Sequence, residues 1–183
     1  FSPPTAGKAG GTVVLTATAT SGLTVTFAVP LSSAAVCSLA GTTLTLKAAG
    51  TCTVEARQPG DATWAGAQPV LGTIAVTLTK PTLTQRFGTG TATPTYTKLT
   101  VRKGTLIGDR VTANYRTLAG KSAALWVRTI GGTWKKLKVV TFDSLGRATY
   151  RFKVYATADY QWRFSATGIW AASLSAIQRV TVR

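Results

Sequence analysis

From Gly11 to Thr79 apolar and polar residues alternate in short runs, and a turn signal closes each run. "GTVVLTATAT", "LTVTFAV", "TLTLK", "TVEAR" and "TIAVTLT" carry the alternation, and "SG", "AG", "AAG" and "QPGD" separate them. A period of two places successive side chains on opposite faces of an extended strand. Strands spaced by roughly 8–12 residues with turns between them predict an all-β sandwich. No stretch carries the 3.6-residue period of an amphipathic helix.

A second run of strands follows "TKPTLTQRFGTGTATPTYT". It comprises "KLTVRKG", "RVTANYRT", "AALWVRTI", "WKKLKVVTF", "ATYRFKV", "YQWRFSAT" and "IQRVTVR". Seven strands in about 100 residues is the size of one immunoglobulin-like domain. Lys80-Pro81 is the expected boundary, because proline cannot donate to a sheet ladder and stands at strand starts or in linkers. The halves also end alike: Val76 follows Trp64 by twelve residues, and Val182 follows Trp170 by twelve. The expected fold is therefore all-β, two tandem immunoglobulin-like β-sandwiches, residues 1–79 and 80–183.

Charge divides the halves. Residues 1–79 hold three basic residues against two acids, a net +1. Residues 80–183 hold 18 basic residues against three acids, a net +15.

The absent residue types limit the chemistry. The chain has no histidine, so a Ser-His-Asp triad, a Cys-His pair and an imidazole metal ligand are excluded. The five carboxylates are Glu55, Asp61, Asp109, Asp143 and Asp159. No two lie within three residues of each other, which excludes an EF-hand-like calcium loop. A carboxylate pair brought together by the fold, as in glycosidases, is disfavoured because Asp61, Asp109 and Asp143 read as turn residues beside glycine. No catalytic residue, metal site or cofactor is expected. No run of about 18 apolar residues is present to form a membrane-spanning helix. The opening "FSPPTAGKAGG" has no Met, basic segment or apolar run of a signal peptide, so the expectation is a processed chain or part of a longer one.

The only two cysteines, Cys37 and Cys52, have fourteen residues between them, room for one strand and two turns. A disulfide there would remove roughly 3 kcal/mol of unfolded-chain entropy, and a domain of this size gains from such a staple. A pair of free thiols is the alternative. Two cysteines without histidine or a CxxC spacing do not make a metal site.

The run "GGTVVLTATATSGLTVTFAV…VCSLAGTTLTLKAAGTCTVEARQPGDATWAGA" resembles the bacterial Ig-like repeats of large secreted and cell-surface proteins. The "AAGTC" and "GDAT" signatures and the cysteine spacing carry the likeness over residues 1–79. The resemblance implies that Cys37 and Cys52 are paired, that the protein is exported to an oxidising place, and that the repeat's first strand begins before Phe1. Residues 95–183 are similar to the Ig-like or fibronectin-like C-terminal modules of secreted actinobacterial proteins, through "GGTWKKLKVVTFDSLGRATYRFKV" and "YQWRFSAT". That likeness is looser and implies a fold more than a function. Such modules act as spacers, stalks or attachment units.

Strand phase assigns the faces of the basic half. Val111, Ala113, Tyr115, Tyr150, Phe152, Val154, Tyr160, Trp162 and Phe164 are expected inside. Arg110, Arg116, Arg151, Lys153 and Arg163 are expected outside. Lys136 and Lys138 are expected on one face of their strand, with Leu137 and Val139 on the other. Leu125 and Val127 point in, which places Trp126 and Arg128 together outside. Two readings fit the outward charge. It keeps sheet edges from pairing and the protein monomeric, or it attracts a polyanion. The candidate contact residues are Arg110, Arg116, Trp126, Arg128, Lys136, Lys138, Arg151, Lys153 and Arg163. Trp126 and Trp134 are candidates for stacking on a sugar ring or a neighbouring subunit, with cover by nearby basic side chains as the alternative.

The expected function is a non-enzymatic structural and attachment module of an exported extracellular, cell-surface or virion-surface protein. Its expected partner is an anionic cell-envelope polymer or glycan, or protein neighbours in an assembly. No helix suits the DNA major groove and no RNA-binding signature is present, so no specific nucleic acid is expected. The rivals are a structural subunit of a filament or virion and an accessory module of a secreted enzyme.

Overall fold

A computed structural model describes residues 1–90 and 94–183. Residues 91–93, in the stretch leading into the second run of strands, lie outside the described residues. The chain is all-β, with sixteen strands, two 3-10 turns and no α-helix among the described residues. It divides into two compact units, Phe1–Thr79 with Gly168–Trp170, and Lys80–Thr167 with Ala171–Arg183.

The first unit holds β1 (Ala6–Lys8), β2 (Thr12–Val14), β3 (Thr26–Ala28), β4 (Cys37–Ala40), β5 (Thr43–Leu46), β6 (Gly50–Gly60) and β7 (Ala65–Thr77). They form a sheet ordered β1-β7-β6-β3 and a second ordered β2-β5-β4. Alternation dictates the core: Leu44 and Leu46 of β5 and Val54, Ile74 and Val76 of the other sheet are all buried. Cys37 on β4 and Cys52 on β6 are disulfide-bonded and buried, so the bond ties one sheet to the other. Alternation misleads between Thr16 and Val25, where the pattern predicts strand but no ladder forms.

The second unit holds β8 (Leu83–Thr89), β9 (Leu99–Val101), β10 (Thr105–Ala113), β11 (Ser122–Thr129), β12 (Lys135–Thr141), β13 (Arg147–Val154), β14 (Ala158–Phe164), β15 (Ser173–Leu174) and β16 (Gln178–Val182). One sheet runs β13-β10-β8. The other runs β12-β11-β14-β16-β9, with β15 beside β14. All seven expected strands form. β8 and β15 lie outside the seven expected strands.

The facing sides of these sheets meet through aromatic contacts. Tyr160 packs against Phe87 at 6.0 Å and Phe152 at 5.3 Å between ring centroids. Trp162, Phe164, Leu125, Val111 and Ile107 are buried with them. The layering is compatible with a β-sandwich. Tyr115, expected inside, lies past the end of β10 and precedes the 3-10 turn Arg116–Leu118, so its side chain is over a third exposed.

Candidate polyanion-binding faces

Antiparallel register decides which cations meet. On the outward side of β13-β10-β8, Arg110 lies directly opposite Arg86 on one neighbour and Thr149 on the other. Gly108 lies opposite Gly88 and Arg151, Thr112 opposite Thr84 and Arg147, and Leu106 opposite Lys153. Side chains opposed in this way stand about 5 Å apart at Cβ, and like charges there repel. Arg110 donates to Pro94 O at 2.8 Å, and its Nε is buried with no partner among the described residues. Arg86 donates to Gln85 O at 2.9 Å. At the end of the face Arg147 pairs with Asp143 at 3.0 Å. Hydrogen bonds from the Arg147 and Leu145 backbone, and from the Arg147 guanidinium, hold the Asp143 carboxyl below its usual range. The structure thus joins Arg110, Arg151 and Lys153, which the sequence placed outside, with Arg86 and Arg147, which it did not single out. Leu83 and Phe87 alternate with Thr84 and Arg86, a signal that would have exposed β8.

The outward side of the other sheet is organised differently. Arg163 lies 4.5 Å over the ring of Trp126 and 5.0 Å over that of Trp134, and Arg128 lies 4.8 Å over Trp134. Guanidinium planes over indole faces are cation–π contacts. Arg163 also donates from Nε to Gln161 at 3.1 Å. Trp126 and Arg128 do face outward together, and Trp126 is half-buried beneath the arginine. Arg128 and Arg179 both bond Asp159, at 3.2 Å and 2.7 Å. These hydrogen bonds, chiefly from Arg179, hold the Asp159 carboxyl below its usual range although burial opposes them.

Two expected placements are corrected. Lys136 and Lys138 do not share a face. A register shift between Leu125 and Trp126 leaves Lys136 opposite outward Trp126 and Lys138 opposite inward Leu125. Lys138 Nζ sits 6.0 Å over the Tyr150 ring of the other sheet. A bulge inserts one residue and reverses the phase beyond it. Arg116 is exposed in its 3-10 turn, outside both sheet faces.

Asp109 also departs from expectation. It is not a turn residue but lies within β10, fully buried. It accepts from Trp162 Nε1 at 2.9 Å and Gln85 Nε2 at 2.8 Å. Gln85 Oε1 accepts from Ser175 Oγ at 2.9 Å, and Ser175 Oγ accepts from Trp162 N at 3.0 Å. Burial pushes the Asp109 carboxyl up to about 7 against the two hydrogen bonds. Burial, with the charge of Asp109, pushes the Tyr160 phenol up to about 12. The three carboxylates of this unit are therefore internal or already held by arginines, and its large basic excess stays unneutralised by them.

No group of three or more potential metal-ligating side chains occurs among the described residues. Among the described residues no helix is long and apolar enough to cross a membrane. A scan against family models and a search of curated proteins found no match to this chain.

Proposed function

We propose that this chain is a non-enzymatic structural and attachment module of an exported surface protein, made of two tandem immunoglobulin-like sandwiches. In this reading residues 1–79 are a bacterial Ig-like repeat serving as a disulfide-stapled spacer. The basic second unit holds an anionic polymer of the cell envelope. The opposed pair Arg86–Arg110 carries the proposal. Two guanidiniums face each other across a ladder, with Arg151 and Lys153 nearby and no carboxylate among the outward positions of β8, β10 and β13. An anionic polymer lying along these strands relieves the repulsion and gains from each cation it meets. A disulfide also fits an oxidising, extracellular setting.

The test is retention on immobilised polyanion over a salt series. Affinity should fall steeply with salt, as counterion release requires. The double variant R151Q/K153Q, at exposed positions, should weaken binding and flatten the salt slope. Binding that ignores both salt and the variant overturns the reading.

Attachment to a protein neighbour is the second reading, and one observation favours it. Trp64 and Val70, which line one cleft of the first unit together with Phe1, are 52% and 48% exposed. Exposed apolar clusters of this kind mark contact surfaces.

A further inference from the structure

One row of charged residues crosses three strands of the larger sheet in the second unit and ends beside the start of a fourth. Arg128 on β11 is the register partner of Asp159 on β14, and Asp159 is the partner of Arg179 on β16. Lys98 immediately precedes β9, whose Leu99 pairs with Val180. A cleft of about 510 Å³ opens over this row, with Thr100 and Thr181 also in its walls.

The row is built rather than scattered. The Asp159 side chain is only 4% exposed and receives Arg128 Nε at 3.2 Å, Arg179 Nε at 2.7 Å and Arg179 Nη2 at 3.3 Å. One face of Arg128 is held further by the Trp134 ring at 4.8 Å. Each arginine thus spends its inner edge on the carboxylate. Arg128 keeps both terminal nitrogens, and Arg179 keeps Nη1, for a guest. Three cations around one carboxylate leave the cleft net positive. A guanidinium whose position is already fixed loses little freedom when an anion docks.

The geometry points to a preorganised site for a single tetrahedral oxyanion, the phosphate or sulfate monoester of a sugar residue, clamped by Arg128, Arg179 and Lys98. This deepens the polyanion reading and rests on it for the polymer that carries the ester. A carboxylate has two oxygens, and one guanidinium edge satisfies them. Donors arriving from three residues, with two hydroxyls beside them, suit an anion with three free oxygens. Asp159 acts as a positioning residue: it holds the arginines and does not touch the guest.

The sign of one substitution separates this clamp from a diffuse basic patch. Asp159→Asn removes the negative charge in the cleft. A diffuse patch would then bind anions more tightly, whereas the clamp binds more weakly because its arginines are released. The experiment follows the side-chain Nε–H resonances of Arg128 and Arg179 in the full chain by NMR. The titrants are inorganic phosphate, mannose 6-phosphate, glucose 6-sulfate and galacturonate. Both esters and phosphate should give saturable shifts, with the stronger ester identifying the source, while galacturonate binds at least tenfold more weakly. Lys98→Gln at its exposed position should cost about tenfold, the loss of one charge-assisted contact. Should Asp159→Asn fail to fold, Lys98→Gln and the galacturonate comparison decide. Galacturonate binding equal to the esters, Lys98→Gln without effect, or Asp159→Asn binding more tightly each overturns the clamp. If the clamp fails while R151Q/K153Q still weakens retention on the polymer, the polyanion reading stands without it.

Discussion

Trp162 donates its indole N–H to Asp109 at 2.9 Å, from the middle of one sheet to the middle of the other. The bond runs through the centre of the second unit's core, where an ionised carboxylate is costly and a protonated one is not. Gln85 and Ser175 extend it into a chain of hydrogen bonds, so the carboxyl is fixed in place whichever form it takes.

The stability of the second unit should therefore fall as pH rises from about 4 to about 7. Asp109 has a folded-state pKa of about 7, against about 3.9 in an unfolded chain. Between those values the folded state binds more protons, so raising the pH favours unfolding, by a total on the order of 4 kcal/mol. Urea unfolding followed by tryptophan fluorescence across this range checks it. Asp109→Asn should flatten the profile, and a slope that survives the substitution would assign the effect to another group.

Reducing the Cys37–Cys52 bond should destabilise the first unit by roughly 3 kcal/mol, the closure entropy of its short loop. Both sulfurs are buried and the bond joins the two sheets, so C37A/C52A should show the same loss plus the cost of two small cavities. Calorimetry with and without reductant measures it.

Gly60→Ala should be more costly than Gly41→Ala, although both glycines have positive φ, +81° and +59°. The left-handed conformation alone costs a residue with a side chain about 1–2 kcal/mol. At Gly41 the space beyond is open. At Gly60 the new Cβ would collide with the carbonyl of Trp64 and sit 2.6 Å from the amide nitrogen of Gly66. Paired melting curves should place Gly60→Ala clearly lower, and equal midpoints would mean that the β6–β7 hairpin yields without cost.

Trp126 and Arg163 should couple by about 0.5–1 kcal/mol, the value of a cation–π contact at a partly exposed site. A double-mutant cycle with Trp126→Leu and Arg163→Gln isolates the term. Repeating the cycle in a Trp134→Leu background should change it, because the same guanidinium lies 5.0 Å over that second ring. Zero coupling would reduce Trp126 to a packing residue.

Much of this was legible residue by residue. The inward phase of Val111, Trp162 and Phe164 follows from period two alone, and the cysteine pair stands where two turns and a strand allow it. Asp109 was misread for a physical reason. Gly108 before it suggests a turn, yet that glycine lies within a strand where a Cβ would stand 3.4 Å from the Pro94 ring. It is a ladder residue, paired with Arg151 and Gly88, and makes no turn. Lys138 was misread because nothing in "WKKLKV" marks a bulge; the extra residue is visible only against the partner strand. The same limit hid Lys98, Arg86, Arg147 and Arg179. Their importance lies in who stands opposite them, and register is a property of pairs of strands. The segment Thr16–Val25 alternates as cleanly as any strand but finds no neighbour to bond.

The parallel pairing of β1 with β7 also bears on mechanical load. These strands lie near the start and the end of the first unit, joined in register from Ala6–Ala75 to Lys8–Thr77. Because they run in the same direction, tension applied through the chain on either side pulls them past each other lengthwise. Their hydrogen bonds are then loaded together in shear instead of unzipping one at a time. Once they part, the Cys37–Cys52 bond withholds the loop between those cysteines from extension. A unit built this way resists a sudden pull through its end strands, and its disulfide holds back part of its length.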